Sequence, residues 1–373
     1  MALLSFLVTV LMIPVFPEGG TEPRWSLLFI VVPLLFAQRY FEKPSLTDVL
    51  GIVFLGWCGS TLFWSSDPYE GSIFYFRFLI IGMLFCIGST RESLRPVYTG
   101  MAFGLLINSA VIVLQINGLT VLPQVAAPAG LFINKNFSGE LAALVIVGLI
   151  GERLWWLLPG VIPSLLLPVA RAPFLAITVA GTLWLWTKSR MAAVLVGIVG
   201  CSAGVFVYHL RTYNDTLTQR WHVWVDTVGS LTLFGHGFGS FFSAYPQFQT
   251  HDATHIIFEH PHNDLLQILF ESGWVGGLVF IAFLVSVLRG RWKAPEVYVL
   301  LAFLVEGCFG FPLYNPATAF VGALVAGHLN CGRDVLCWDE LRGKLRVLAR
   351  VAADGGLRLR SRAFWKRRED LSL

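Results

Sequence analysis

One histidine and two arginines fall in segments that the hydropathy pattern places at one face of a membrane. His262 lies in the polar stretch EHPHND before a long apolar run, Arg171 precedes another apolar run, and Arg220 lies in a long loop. A guanidinium group can donate two parallel hydrogen bonds to the oxygens of one phosphate. A neutral imidazole can accept a proton near neutral pH. These residue types predict a site that holds phosphates at the headgroup level and deprotonates a hydroxyl.

Each of these residues also has a purely structural interpretation. A single arginine at a membrane interface is usually an anchor whose charged end reaches the water, and a polar residue at the mouth of a helix is ordinary. The catalytic interpretation therefore depends on Arg171, Arg220 and His262 converging on one surface.

Polar residues near His262 form a second group of candidates. Asn263 suits a helix N-cap, and Asp264, Gln267 and Glu271 follow a spacing that places them on one helix face. An acid buried at membrane depth is either functional or hydrogen-bonded between helices. The sequence leaves both roles open for Glu271.

Arg77, inside the apolar stretch SIFYFRFLII, is a further candidate of either kind. Placing an arginine at membrane depth costs free energy, so such a residue usually has a polar partner or a function. We expect that partner to be Asp264 or Glu271.

The elements that position these residues are predicted to be membrane helices. The chain is 55% hydrophobic and 13% charged, with a mean hydropathy of +0.68. Apolar stretches of about 20 residues, the length of a spanning helix, recur throughout and predict an all-α polytopic bundle of about 12 spans. The first stretch has neither a basic start nor a small-residue cleavage site, so we interpret it as a span. The spans are expected near 2–16, 25–38, 46–64, 71–88, 98–118, 137–150, 154–169, 172–187, 191–208, 264–288, 296–313 and 316–330.

Basic residues set the predicted orientation. They concentrate in alternate short loops and in the tail 331–373, which by the positive-inside rule places these segments and both termini in the cytoplasm. We therefore expect a membrane domain over 1–330 followed by a basic tail that faces anionic lipid. The chain offers no folded basic module, so nucleic acid is not an expected partner.

One external loop, about 209–263, is long, and loops of that length are usually functional. Its segment 215–231 predicts a short amphipathic helix in the membrane interface. The apolar stripe of this helix is formed by Leu217, Trp221, Trp224, Val225 and Val228, and its opposite face by Gln219, His222 and Asp226. The glycine-rich stretch 233–248 follows no predicted strand, so a tight turn back to the bundle is favoured over a nucleotide site.

Two small-residue and cysteine patterns are interpreted as structural. Gly273 and Gly277 form a GxxxG pair, which predicts close approach of a neighbouring helix. No cysteine and histidine spacing resembles a zinc site, and no acidic DxD pair appears in the outer loops. We expect no metal, no cofactor and no structural disulfide.

The stretch HNDLLQILFESGWVGGLVF, with His262-Asn263, nine residues and then Gly273-x-x-Gly276, resembles the signature of bacterial O-antigen ligases and of their wider ligase and polymerase superfamily. Further similar segments follow in family order. They are GLFINKNFSGELAAL (130–144, with Asn136), ARAPFLA (170–176), QRWHVW, FGHGFGSF and GFPLYNPATAF (310–320). Ala170, in place of the usual Ser, and a compact loop depart from the pattern.

The resemblance implies a metal-independent, inverting glycosyltransferase of the bacterial inner membrane. It would move a glycan from an undecaprenyl-diphosphate carrier to an acceptor hydroxyl, such as that of lipid A–core, at the periplasmic face. Arg171 and Arg220 match the arginines that hold the diphosphate, and His262 matches the base. Asn136 and Asn263 are supporting candidates.

Three alternatives remain open. A polysaccharide polymerase or a protein O-oligosaccharyltransferase of the same superfamily would use the same chemistry, although the His262-Asn263 spacing favours the ligase. A transporter of lipid-linked glycan would use Arg77 and Glu271 as part of a pathway. Transporters commonly show polar groups in both repeated halves, whereas here they concentrate in the C-terminal half.

Overall fold

The computed structural model describes residues 1–331 apart from 14–20, 39–43, 92, 120–121, 123, 211–215 and 251–257. Fourteen α-helices and three short 3₁₀ turns make up the regular structure of these residues. The helices are α1 (Ala2–Val10), α2 (Glu22–Ala37), α3 (Leu46–Thr61), α4 (Pro68–Ser89), α5 (Arg95–Ile116), α6 (Lys135–Gly151), α7 (Leu158–Leu166), α8 (Arg171–Trp186), α9 (Arg190–Leu210), α10 (Thr216–Gly229), α11 (Phe241–Ala244), α12 (Asp264–Leu288), α13 (Glu296–Gly307) and α14 (Pro316–Asn330).

Every predicted span contains a helix, namely α1 to α9 and α12 to α14. Within the described ranges, four helical segments are long and apolar enough to cross a bilayer by themselves, at Leu46–Trp64, Pro68–Ser89, Arg95–Ile116 and Asp264–Leu288. The protein is therefore an all-helical membrane protein with several crossings, while the total of about 12 stays a prediction. The span predicted near 296–313 is too long, because α13 ends at Gly307 and a loop follows.

Asparagine side chains cap the first turns of α6 and α12, which lie at the candidate site. Asn134 accepts a hydrogen bond from the Asn136 N–H at the start of α6, and Asn263 accepts one from the Leu266 N–H at the start of α12. Such caps satisfy backbone donors that have no partner within the helix. Local sequence thus determines where α6 and α12 begin.

The bundle has one pole formed by the basic loops. At this pole His328 Nδ1 lies 2.8 Å from the Arg91 carbonyl oxygen, and Arg291 Nη2 donates to the Cys331 carbonyl at 2.7 Å. This grouping agrees with the alternation of basic loops in the sequence, while the orientation in the membrane stays a prediction. The tail beyond Cys331 lies outside the described residues.

Helix α12 is broken at Gly273, whose φ is 70° and ψ is −176°. The break leaves four backbone groups without helical partners, and the loop 232–237 satisfies them. The N–H groups of Trp274 and Val275 donate to carbonyls of Thr232 and Leu233 at 3.1 and 3.2 Å. In return, the loop donates to the carbonyls of residues 270 and 271 through the N–H groups of residues 236 and 237, both at 3.0 Å.

This arrangement corrects the GxxxG interpretation. Gly273 is required because the loop backbone crosses against it, with Leu233 O 2.4 Å from the position that a Cβ would take. The neighbour is thus an inserted loop and not a packed helix. Non-helical backbone at membrane depth is tolerated where protein supplies the hydrogen bonds, which is the role of residues 232–237. The predicted tight turn of the glycine-rich stretch is confirmed, since Gly235 has a φ of 79°.

Helix α10 matches the predicted helix at 215–231 within two residues at either end. Trp221 is 62% exposed and Val228 54%, so this part of the apolar stripe lies on the molecular surface. Trp224 was predicted on the same stripe, but it is half-buried and donates to the Pro261 carbonyl at 2.8 Å. Asp226, on the other side, is buried and accepts hydrogen bonds from Tyr245 and Thr250. An exposed apolar stripe on a helix held by buried polar contacts suits a membrane interface, although the Leu217 side chain lies outside the described residues.

Candidate active site

His262 stands in the loop immediately before α12, outside the Asn263 cap, as predicted. Its φ is +53°, a left-handed backbone conformation that is uncommon for any residue except glycine. Such a conformation costs about 1–3 kcal/mol and persists only where its surroundings impose it. The backbone at His262 is therefore held in a strained state.

The environment keeps the His262 imidazole neutral. Burial, together with the positive charge of Arg220 and the neighbouring His260, lowers the pKa of His262 from 6.5 to about 3. A neutral imidazole has an unprotonated nitrogen and can accept a proton. The side chain is thus in the basic form at neutral pH.

Arg220 interacts electrostatically with His262, and Arg171 interacts electrostatically with Arg220. Arg220, from α10, donates through Nη1 to the carbonyl of Phe309 at 3.0 Å. Burial lowers the pKa of Arg220, Glu140 opposes that effect, and Arg171 adds to it. Arg171, the first residue of α8, is therefore close enough for the two guanidinium groups to repel each other. The structure thus places Arg220 within electrostatic range of both Arg171 and His262.

Aromatic rings pack against His260 and His262, in the loop before α12. The ring of Phe311, in the loop between α13 and α14, lies 5.2 Å from the His262 ring and stacks on His260 at 4.5 Å. Tyr314 and Phe74 complete the contact with His260. This cluster restricts the movement of the loop that carries His262.

Glu140 is a site residue that the sequence interpretation missed. It is buried on α6, and its Oε1 lies 2.8 Å from the position that a Cβ on Gly310 would take, directly beside the residue that accepts from Arg220. A carboxylate there partly balances the charge of the guanidinium groups. An acid inside the apolar stretch GELAALVIVGL is itself a signal, because such residues are costly in a membrane.

Glu271 has a structural role. Its Oε2 accepts from the N–H of Gly239 at 3.0 Å, and its Oε1 accepts from Gln267 Nε2 at 2.9 Å. The Gln267 Oε1 is then left to accept from His260 Nδ1, 3.0 Å away. This chain of hydrogen bonds joins the glycine-rich loop to the histidine loop through α12. The buried polar face predicted for Asp264, Gln267 and Glu271 is confirmed.

The prediction that Arg77 pairs with Asp264 or Glu271 is wrong. Its Nη2 binds Glu22, the first residue of α2, and not Asp264 or Glu271. The guanidinium also lies over the rings of Trp25 and Phe74, at 5.5 and 5.0 Å from their centres. These contacts stabilise the packing of α2 on α4, and they give Arg77 a structural partner that neither periodicity nor spacing could identify.

The two asparagine candidates have different surroundings. Asn263 caps α12, and its Nδ2 donates to the Cys308 carbonyl at 3.3 Å, so it fixes the chain directly after His262. Asn136 is half-buried in the first turn of α6, beside Phe137, whose ring contacts Phe311 at 5.4 Å. Asn263 supports the site through the backbone, whereas a role for Asn136 stays a prediction.

The arrangement combines a neutral base with two cations at one end of a helical bundle. Paired guanidinium groups can stabilise negative charge that develops on phosphate oxygens without reorganising. Among the described residues, no group of three or more His, Cys, Asp or Glu side chains could hold a metal ion. The chemistry that these residues can perform is proton transfer beside a bound polyanion.

Comparison with known proteins points to one family. The sequence model of the O-antigen ligases matches residues 141–281, from α6 through most of α12. No curated protein matches the chain. The matched segment contains Arg171, Arg220, His262 and Gly273, the residues that the sequence resemblance singled out. Residues 141–281 are therefore similar to the O-antigen ligase family.

Proposed function

We propose that the protein transfers a glycan from an undecaprenyl-diphosphate carrier to an acceptor hydroxyl, that of lipid A–core, at the periplasmic face of the bacterial inner membrane. The observation that supports this most strongly is the convergence of Arg171, Arg220 and a neutral His262 on one end of the bundle. The opposite pole carries the basic loops that the positive-inside rule assigns to the cytoplasm.

Arg171 and Arg220 hold the diphosphate of the donor in this proposal. When the bond between the anomeric carbon and the phosphate oxygen breaks, its electron pair passes to the diphosphate. Arg171 and Arg220 are half-buried, and guanidinium groups in such positions stabilise that charge more strongly than water-exposed ones would. The Phe309 carbonyl that accepts from Arg220 keeps one guanidinium oriented before the donor binds.

His262 removes the proton from the acceptor hydroxyl as its oxygen attacks the anomeric carbon. Direct attack opposite the leaving diphosphate inverts the configuration of that carbon. The proton rests on the imidazole and then passes to the solvent or to the released diphosphate, so the base is regenerated. Binding of the anionic donor beside Arg220 offsets one of the causes that disfavour the imidazolium.

Reconstitution tests the proposal and its nearest alternatives. Purified protein in proteoliposomes would receive an undecaprenyl-diphosphate-linked glycan together with lipid A–core, with a second lipid-linked repeat, or with a Ser- and Thr-containing protein. We expect the glycan on lipid A–core. Product only in the second arm would identify a polymerase, and product only in the third a protein O-oligosaccharyltransferase. Movement of lipid-linked glycan across the bilayer without any joined product would instead identify a transporter.

The proposed diphosphate contact predicts unequal effects of two substitutions at Arg220. Arg220→Ala should lower kcat/KM by about 100-fold or more, the usual loss when one donor to a developing anion is removed. Arg220→Lys should lose less, because it keeps the charge but not the paired donors. Initial transfer rates at subsaturating donor measure both effects.

Lys293→Ala is the matched control for Arg220→Ala, since it removes an exposed positive charge from the opposite pole. It should leave the transfer rate unchanged. Equal activity of Arg220→Ala and Arg220→Lys would contradict the diphosphate role.

The lowered pKa of His262 predicts an unusual dependence of the rate on pH. Since this pKa lies at about 3, the base form is present at all higher pH values and is lost only as the pH falls toward that value. The kcat/KM reports the ionisation of the free enzyme and should therefore show no loss of the base near pH 6.5, the value for an ordinary histidine. Rates would be measured from about pH 5 to about pH 8. Samples held at each pH and returned to neutral pH would reveal irreversible inactivation, and a reversible inflection at the ordinary value would refute the prediction.

A further inference from the structure

Two side chains of α10, one helical turn apart, bind backbone carbonyls on either side of the site. Arg220 Nη1 donates to the Phe309 carbonyl at 3.0 Å, and Trp224 Nε1 donates to the Pro261 carbonyl at 2.8 Å. Residues four apart on a helix share one face, so the same face of α10 contacts both loops. The Trp224 ring also lies 6.1 Å from that of Phe309.

The Pro261 carbonyl belongs to the same planar peptide as the N–H of His262. Fixing the carbonyl oxygen therefore fixes the orientation of the plane from which the φ of His262 is measured. A rotation of this plane could return His262 from φ +53° to the favoured negative region, but it would turn the carbonyl away from the indole. On the other side of His262, two hydrogen bonds hold the Asn263 side chain. Its Oδ1 accepts from the Leu266 N–H, and its Nδ2 donates to the Cys308 carbonyl.

We propose that Trp224 is a positioning residue, whose indole N–H holds the peptide between Pro261 and His262 and so keeps the imidazole in the strained conformation beside Arg220. The inference rests on the proposed role of His262 as the base. Because Arg220 and Trp224 belong to one helix, α10 keeps the diphosphate contact and the base in a fixed relation. A displacement of about 1 Å at a reacting group can cost about 100-fold in rate, which gives this fixation its catalytic value.

Trp224→Phe tests the proposal, because phenylalanine keeps an aromatic ring and removes the N–H donor. We expect kcat to fall by about 10- to 100-fold, while the KM for the undecaprenyl-diphosphate-linked glycan stays unchanged. Trp221→Phe is the matched control, since Trp221 lies on the same helix but is 62% exposed. It should transfer at the wild-type rate. A wild-type kcat for Trp224→Phe would overturn the proposal.

A second variant separates the hydrogen bond from packing. Placing 3-benzothienylalanine at position 224 replaces the ring N–H by sulfur and preserves the shape of the indole. The proposal predicts that this variant loses kcat as Trp224→Phe does, whereas a role in packing alone predicts wild-type turnover. In a His262→Asn background, Trp224→Phe should lower the residual rate no further, because both changes act through one group. An additive loss there would contradict positioning through His262.

The same assays keep this inference distinct from the proposed function. Transfer by His262→Asn at the wild-type rate would refute the function of His262 as the base and the inference with it. Inactive His262→Asn together with fully active Trp224→Phe would refute the inference alone.

Discussion

His262→Asn should remove transfer without lowering the thermal stability of the protein. A general base contributes about 10²- to 10⁴-fold to a rate, and the amide of asparagine cannot replace it. The backbone of His262 is left-handed, with φ at +53°, and asparagine adopts that conformation more readily than most residues. The substitution thus removes the reacting group and keeps the backbone conformation accessible, so activity should fall while stability stays near that of the wild type.

Transfer rates in proteoliposomes and unfolding temperatures in detergent measure the two effects. Glu259→Gln is the matched control, because Glu259 lies exposed in the same loop, and it should change neither quantity. Residual transfer at the wild-type rate would contradict the role of His262 as the base. A marked drop in the unfolding temperature of His262→Asn would contradict the strain.

The sequence predicted those parts of the site that depend on local signals. The polar stretch before α12 and the Asn263 cap placed His262 correctly, because a cap and an apolar run are properties of a few adjacent residues. The alternation of basic loops predicted which loops share a pole. The same alternation placed Arg171 and Arg220 at the opposite pole, where Arg171 begins α8 and Arg220 lies within α10.

The parts that the sequence did not predict depend on partners from distant segments. Glu22 and Arg77 pair across two helices, and Glu140 approaches Gly310 across a still longer stretch of chain. A single sequence carries no signal for such pairings. It shows only that a charge at membrane depth needs a partner, and for Arg77 that requirement led to the wrong acids.

The break in α12 was missed for a different reason. Helix-compatible residues continue through Gly273 on both sides, so the pattern predicts one uninterrupted helix. A glycine in such a run is compatible with a packing contact and with a special backbone conformation. Only the loop that crosses at Gly273 decides between them.

Gly273→Ala should prevent the protein from accumulating in a folded form. The φ of 70° and ψ of −176° fall in a region that is essentially restricted to glycine. A Cβ would also lie 2.3 Å from Gly235 N and 2.4 Å from Leu233 O, and these are backbone atoms that cannot move aside independently. Strain and overlap together should cost more than about 3 kcal/mol, since the strain alone reaches that order. Yield of monodisperse protein and its unfolding temperature measure the effect.

Gly181→Ala is the control for Gly273→Ala, because Gly181 lies within α8 and a Cβ there meets no heavy atom within 4 Å. It should accumulate at the wild-type level. Gly235→Ala approaches the same crossing from the loop, where a Cβ would lie 2.3 Å from Glu271 O, so it should resemble Gly273→Ala. Normal folding of both variants would show that the crossing can open. If both variants fail to fold, the loop 232–237 and α12 form one structural unit. Displacing the loop would then disrupt α12, the helix whose N-cap, Asn263, directly follows His262.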